Sequence, residues 1–270
     1  MSETGAEVMT LEPNTALSVE EVLSVHHWNE HLFSFTITRP SSFRFRSGEF
    51  VMIGLPGEKK PILRAYSIAS PAWADHLAFL SIAVDDGPLT SKLRHIQPGE
   101  QLYLGRKPTG TLVTDALLPG KRLFMLSSGT GLAPFLSLIH DPDTYQLFEQ
   151  VVVVHSVRNV ADLAFREELE SQLADDPLVS EEALVQLSYF PTVTREAFHT
   201  TGRIDKHIAD GTLFAGLNGP ARFDPETDRV MLCGSMNMIR DLAALLDAAG
   251  LEEGSNSRPG HYVIERAFVG

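Results

Sequence analysis

The sequence predicts an antiparallel barrel of six short strands over residues 18–120, followed by a doubly wound parallel α/β domain over residues 121–270. Three observations carry this fold class, α/β plus all-β. The length of 270 residues suits two domains at roughly 100–200 residues each. The first part alternates short β-like runs with turn residues. Beyond Gly120, continuous apolar strands alternate with helical patterns.

In chain order, residues 1–17 are a polar, acidic extension without the positive flank and apolar core of a signal peptide. Phe33, Phe35 and Ile37 then alternate with Ser34, Thr36 and Thr38, until Arg39-Pro40 ends the run. Further β-like runs are Phe50–Leu55, Arg64–Ser70, Leu77–Val84, Gln101–Leu104 and Thr111–Thr114, with Gly and Pro punctuation between them. A helix is expected to start at Thr90 or Ser91. After Leu118-Pro119-Gly120 come a strand at Leu123–Leu126, a turn at Ser127–Gly131 and a helix from Leu132. Val151–Val154 reads as a strand buried on both faces. Ala161–Leu173 reads as an amphipathic helix, Val185–Phe190 and Val230–Leu232 as strands, and Tyr262–Phe268 as a last strand-like run. Met236–Ala249 is a helix closed by Gly250.

Composition excludes several functions. With 43% hydrophobic and 21% charged residues, the chain is an ordinary globular one, and no apolar run spans a bilayer. Cytoplasmic localisation and a monomer are the expectations. A net charge of -13 disfavours nucleic acid as a partner. The single cysteine, Cys233, excludes an intramolecular disulfide and a cysteine-ligated cluster, and the 10 histidines show no metal spacing. Redox chemistry here therefore needs an organic cofactor or a metal site without cysteine. Residues 31–107 carry 10 basic against 6 acidic side chains, a local net charge of +4 that suits an acidic partner or a phosphate-bearing ligand.

Five segments carry candidate chemistry. Gly129-Thr130-Gly131-Leu132-Ala133-Pro134 falls at a strand-to-helix junction, where glycines admit a ligand close to the backbone and a helix start favours an anion. Pro134 replaces the third glycine of the full dinucleotide fingerprint. Arg64-Ala65-Tyr66-Ser67 offers a cation, an aromatic face and a hydroxyl; a core tyrosine beside an exposed arginine is the plainer reading. Leu89-Thr90-Ser91 after Gly87-Pro88 reads either as a phosphate cradle or as an ordinary helix start. Cys233-Gly234-Ser235 follows a strand, at the end where doubly wound sheets bind ligands. Arg158, Arg195 (after Thr194) and Arg203 form a trio suited to a phosphate monoester, or else pair with local carboxylates.

Taken together in their order along the chain, the segments resemble the ferredoxin–NADP⁺ reductase superfamily, specifically its bacterial branch. The Arg64–Ser67 run matches the family's Arg-x-Tyr-Ser signature, and Gly87–Ser91 its second flavin segment. Gly129–Pro134 matches the nicotinamide loop and Cys233–Ser235 the second nucleotide segment. The ending Glu265-Arg266-Ala267-Phe268-Val269-Gly270 is also like the bacterial branch.

The resemblance implies FAD on the barrel and NADP(H) on the α/β domain. It assigns Arg64, Ala65, Tyr66, Ser67, Leu89, Thr90, Ser91, Thr130, Ala267 and Phe268 to FAD. It assigns Gly129, Thr130, Gly131, Arg158, Thr194, Arg195, Arg203, Gly234 and Ser235 to NADP(H). Ser67, Cys233 and Glu265 are the expected catalytic residues, with no metal. The implied reaction is hydride transfer between NADP(H) and FAD, joined to single-electron exchange with ferredoxin or flavodoxin. Asp85 and Asp86 stand where relatives often carry a lysine and a proline, and are expected to face solvent. The nearest alternative is an oxygenase reductase component or an NAD(P)H-dependent flavin reductase, which the arginine trio disfavours where NADH is the donor. A flavin-binding sensor without turnover is a different class, and the two nucleotide segments argue against it.

Overall fold

The computed structural model describes residues 11–265. Six strands form one antiparallel sheet: β1 (Leu17–His27), β2 (Leu32–Thr38), β3 (Phe50–Leu55), β4 (Ile62–Ser67), β5 (His76–Ile82) and β6 (Gln101–Gly105). Their order is β4-β3-β6-β1-β2-β5. Beyond β4, the Ala69 N–H donates to the Ala78 carbonyl of β5 (2.7 Å), drawing the edges together. Phe33, Phe35, Ile37, Val51, Ile53, Leu77, Phe79, Leu102 and Leu104 point inward, as the alternation of their strands requires. The short helix α1 (Thr90–Leu93) adds Leu89 and Leu93 to that core.

The strand count agrees with the sequence reading, but the membership differs. β1 replaces Thr111–Thr114, which is irregular before a 3-10 turn at Thr114–Ala116. β1 is central: Leu17–Glu21 pairs with β6 and Val22–His27 with β2. A bulge between Val22 and Ser24 breaks its alternation, and adjacent Glu20 and Glu21 mask the apolar pattern. Buried Glu20 is tolerated because it accepts from the Thr38 hydroxyl (2.7 Å).

The second sheet is wholly parallel, in the order β11-β10-β7-β8-β9. Its strands are β7 (Arg122–Ser128), β8 (Gln150–Val157), β9 (Leu187–Val193), β10 (Asp228–Cys233) and β11 (Tyr262–Ile264). Helices α2 (Ala133–Ile139), α3 (Pro142–Leu147), α4 (Arg166–Glu170), α5 (Ser180–Gln186), α6 (Ile204–Ala209) and α7 (Met236–Ala248) flank it. Leu123, Met125, Val151 and Val153 face one core with Leu136 and Leu169. Phe124, Leu126, Val152 and Val154 face the other with Ile239, Leu242 and Leu246. The middles of β7 and β8 are therefore apolar on both faces. Gly250, at φ +85°, ends α7: its N–H donates to the Asp247 carbonyl (3.0 Å), and that of Leu251 to the Leu246 carbonyl (3.0 Å).

Two elements depart from expectation. The helix expected over Ala161–Leu173 is broken into a 3-10 turn at Val160–Asp162 and α4, with Phe165 left-handed at φ 60°. A continuing helix would use the Ala161 carbonyl, but the Asn29 side chain from the barrel takes it (2.9 Å). The Phe165 ring turns onto Trp28, 4.6 Å between centroids. The strand expected from Val185 begins at Leu187, because α5 runs on to Gln186 with Val185 83% exposed.

Helix α2 joins the two sheets. The Ser137 hydroxyl donates to the Ser70 carbonyl (2.7 Å) and accepts from the Gly48 N–H (3.3 Å). The Trp73 indole donates to the His140 carbonyl (2.9 Å). The His140 ring bridges Asp176 (2.6 Å) and Glu168 (3.2 Å). Burial alone would lower the His140 pKa, but hydrogen bonds and charge from Glu168 and Asp176 outweigh it, so the net shift is upward. A raised histidine stabilises the fold fully below its unfolded value of about 6.5 and loses that contribution as pH rises through the raised one. Asp176 is shifted the other way: burial opposes, but bonds from His140 and the backbone N–H groups of Leu178 and Val179 prevail. Its contribution is lost toward acid. His140→Gln is therefore expected to lower the melting temperature by roughly 2–4 °C near pH 6, for a pair worth about 1 kcal/mol. The difference between the two proteins should shrink as pH rises through the raised histidine value.

Candidate functional site

The candidate site is the C-terminal edge of the parallel sheet, where the order reverses between β7 and β10. The chain turns sharply after both strands. Gly129–Leu132 forms a 3-10 turn that runs straight into α2, with Pro134 in the first helical turn. Gly131 fits only as glycine: an added Cβ would lie 2.3 Å from the Cys233 carbonyl oxygen and 2.9 Å from the Gly234 nitrogen. Gly234 is equally constrained, with φ +146° and the Ser128 Oγ 2.3 Å from an added Cβ. The Ser235 N–H donates to that same Ser128 Oγ (2.9 Å), and Ser235 caps α7. The two turns are thereby interlocked. Gly129 is different: it is exposed, at φ +55°, and a Cβ there would meet nothing within 4 Å. The outer side of the turn is an open shelf bordered by half-buried Thr130.

Arg158 and Arg195 are exposed on the loops after β8 and β9. These loops are stitched together: the Arg195 N–H donates to the Arg158 carbonyl (2.9 Å), and Thr194 bonds the Val157 carbonyl through both N–H and hydroxyl (3.0 Å each). Neither guanidinium makes an ion pair among the described residues. Arg203 does, with Asp205 (3.1 Å) and Asp241 (2.6 Å). Two members of the trio thus keep open donors, while the third is committed to carboxylates.

Cys233 ends β10, fully enclosed in the core that includes Met231 and Leu132. Burial pushes its thiol pKa well up, and the neighbouring Glu265 carboxylate adds to this, so it remains a neutral thiol. Glu265 is 6% exposed; its N–H bonds the Leu232 carbonyl (3.1 Å), and its Oε2 accepts from the Thr111 N–H (3.3 Å). Thr111 also donates through its hydroxyl to the Ile264 carbonyl. The stretch mistaken for a strand is held by the end of the described chain. Ser67 reaches the same junction through β3: it pairs with Phe50, and an added Cβ on Gly110 would touch both Phe50 (3.4 Å) and Glu265 Oε2 (3.1 Å). Glu265 lies close enough to Cys233 to act on its thiol, while Ser67 is tied to this region through the backbone pairing of β4 with β3.

The barrel residues are less open. Tyr66 is 8% exposed, edge-on to Phe35 and Phe79, with its hydroxyl 3.0 Å from Ser81. Burial raises its pKa. Arg64 is exposed and donates to the Leu63 carbonyl (2.9 Å), while Ala65 is half-buried. Leu89 is a core residue, and the Thr90 hydroxyl is 3.2 Å from the Val84 nitrogen. Ser91 is half-buried, and Asp85 and Asp86 face solvent as expected. Ala267 and Phe268 lie outside the described residues.

One group at the site escaped the sequence reading. His155, 1% exposed at the end of β8, contacts the Gly129 carbonyl through Nε2 (3.2 Å). Its only signal in the sequence was a histidine three residues before Arg158 at the end of an apolar strand.

Comparison with known proteins identifies the family. Residues 16–113 match the family model of an oxidoreductase FAD-binding domain, and residues 125–244 that of an oxidoreductase NAD-binding domain. The flavodoxin/ferredoxin–NADP reductase of Rhodobacter capsulatus is 54% identical over 252 residues, 93% of each chain. The ferredoxin–NADP reductase of Azotobacter vinelandii is 52% identical over 254 residues, 94% of this chain and 98% of that protein. A crystal structure of a ferredoxin NADP⁺ reductase from Neisseria gonorrhoeae with bound FAD and NADP aligns with a TM-score of 0.85 at 30% identity, covering 94% of this chain and 100% of that one.

Proposed function

Because the chain belongs to the bacterial ferredoxin–NADP reductase family, an FAD-dependent family of NADP(H) oxidoreductases, we propose that it exchanges electrons between NADP(H) and a small acidic ferredoxin or flavodoxin. The observation that carries this reading is the interlock of the Gly129–Gly131 and Cys233–Ser235 turns at the sheet reversal. The open side of Gly129, where no described residue beyond its chain neighbours comes within 4 Å of an added Cβ, leaves room for a dinucleotide backbone. When bound, FAD and NADP(H) supply the redox chemistry, a hydride passing between them and single electrons leaving for the carrier protein.

The chain's own residues bind and orient. We assign residues 18–120 to FAD, with Arg64, Ala65, Tyr66, Ser67, Leu89, Thr90 and Ser91 holding it, and residues 121–270 to NADP(H). Gly129, Thr130, Gly131, Gly234 and Ser235 line the shelf, and the open guanidinium groups of Arg158 and Arg195 take the 2′-phosphate beside Thr194. Arg203 would join them only by leaving Asp205 and Asp241. Ser67 and Glu265 hold or pass a proton at the junction. Cys233, being neutral and enclosed, contributes shape and exclusion of water rather than acid–base chemistry. The net +4 of residues 31–107 favours an acidic carrier. No helix among the described residues is long and apolar enough to cross a membrane, and the cytoplasm is the compartment we propose.

The test is an anaerobic absorbance titration of the purified protein with NADPH and then NADH. Flavin bands bleached far more readily by NADPH support the reading; a protein that takes up no FAD refutes it. Arg195→Ala is expected to weaken NADPH binding about tenfold or more and NADH binding less than threefold, as the loss of one charged phosphate contact predicts. Equal losses would remove Arg195 from phosphate recognition.

A further inference from the structure

We propose that His155 is a positioning residue for the nucleotide shelf: held as its Nε2–H form by Tyr189, it grips the Gly129 carbonyl and sets the Gly129-Thr130-Gly131 backbone before any nucleotide arrives. The inference deepens the reading above and rests on it for the identity of the ligand.

The geometry starts from what each atom can do. A carbonyl oxygen only accepts, so the 3.2 Å contact to Gly129 requires the proton on His155 Nε2. Nδ1 then carries the lone pair, and its neighbour is the Tyr189 hydroxyl at 3.4 Å, which donates to it. The three groups sit on three successive elements. Tyr189 is on β9, His155 on β8 and Gly129 on the turn after β7. A polar line therefore runs across the sheet edge beneath the shelf.

The turn needs such a tether on this side. Its inner side is fixed by the close approach of Gly131 to Cys233. Gly129 has no Cβ, is left-handed, and among the described residues beyond its chain neighbours no atom lies within 4 Å of where one would stand. It has no side-chain packing of its own to anchor it. A glycine in an exposed turn samples more backbone conformations than any other residue, and each must be lost on binding. Holding the turn in advance removes that cost.

Burial also settles the charge of the ring. Desolvation lowers its pKa to about 4 despite the Gly129 contact. Asp162 adds a weak opposing charge, and Arg158 lies three residues along the chain. His155 is thus neutral at ordinary pH and grips the turn by hydrogen bonding alone, leaving phosphate attraction to the exposed arginines.

The first measurement is amide hydrogen exchange of Ser127–Ala133 in the FAD-loaded full chain without nucleotide. His155→Leu keeps apolar volume and loses the donor; exchange is expected to rise about tenfold, the weight of one buried hydrogen bond. His155→Gln, which restores an N–H at similar reach, is expected to stay within about threefold of the natural protein. Anaerobic flavin reduction by NADPH should follow the same order. Wild-type exchange, corrected for intrinsic rates, should show no titration between pH 5.5 and 8. Unchanged exchange in His155→Leu, or a midpoint near 6.5 that vanishes in His155→Gln, overturns the proposal. Should His155→Leu fail to fold, Tyr189→Phe decides: about threefold faster exchange is expected from freeing the tautomer, and no change overturns the relay. A wild-type protein whose flavin NADPH cannot reduce would refute the function above, while the exchange comparison would still judge the tether.

Discussion

Gly131→Ala is expected to abolish productive NADPH use, lowering the rate of flavin reduction by about a hundredfold while leaving FAD bound. The argument is steric. The backbone of Gly131 is not left-handed, so alanine is not excluded by conformation. The excluded volume is specific: the new methyl would stand 2.3 Å from the Cys233 carbonyl oxygen, 2.6 Å from its carbon and 2.9 Å from the Gly234 nitrogen. All three are backbone atoms at the end of a central strand, so they cannot rotate aside. The turn after β7 must move away from the turn after β10, carrying Thr130 with it. Misplacement of this order costs about a hundredfold where two reacting groups must be aligned. Stopped-flow absorbance under anaerobic conditions measures it directly, with chemical reduction by dithionite as the control for bound FAD. A variant reducing at more than a third of the natural rate would show that the interlock does not set the geometry.

Asp228→Ala carries the largest expected loss of stability, about 3–5 kcal/mol. Asp228 and Arg122 begin adjacent strands, and their side chains are 0% and 3% exposed. The pair is bidentate, with Nε to Oδ1 at 2.6 Å and Nη2 to Oδ2 at 2.7 Å. The remaining valences are also used: Arg122 donates to the carbonyls of Asn218, Pro220 and Arg222, while Asp228 accepts from Asp224 N–H and the Thr227 hydroxyl. Removing the carboxylate strands a buried guanidinium and several donors together. In a chain of this length the loss corresponds to a fall of roughly 10 °C in melting temperature. An apolar pair, Arg122→Met with Asp228→Leu, removes the stranded charge but leaves the Asn218, Pro220 and Arg222 carbonyls and the Asp224 N–H unpaired, so it should recover only part of the loss. Denaturant melts of the two singles and the double decide; a single-variant cost below 1 kcal/mol would show the pair to be dispensable.

What the sequence made legible follows the physics of each signal. Turn punctuation and apolar runs gave β2, β3, β5 and β6 within two residues at each end, because a barrel strand with one buried face must alternate. β1 was invisible, since its bulge shifts the alternation midway and its one buried carboxylate is satisfied by a threonine 18 residues on. The broken helix at 161–173 could not be read locally either: its terminator is Asn29, in the loop between β1 and β2 of the barrel. The glycines of the shelf were found because close approach leaves a residue-type signature. The engagement of Arg203 by Asp241, 38 residues later, left none. Tyr66 shows the limit of a motif, since the core packing of its ring is a property of Phe35 and Phe79, not of the residues beside it.

Helix α2 carries a lesson for recombining such chains. The seven residues of α2 run from the nucleotide turn at one end to the hydroxyl of Ser137 and the carbonyl of His140 near the other, which are bonded to Ser70, Gly48 and Trp73 of the barrel half. The obvious crossover for building hybrids with relatives is the loop near residue 120. A hybrid cut there inherits the ruler from one parent and the marks it is read against from the other. Compatibility between parents therefore depends less on overall similarity than on whether residues 47–48, 70–73 and 137–141 descend together.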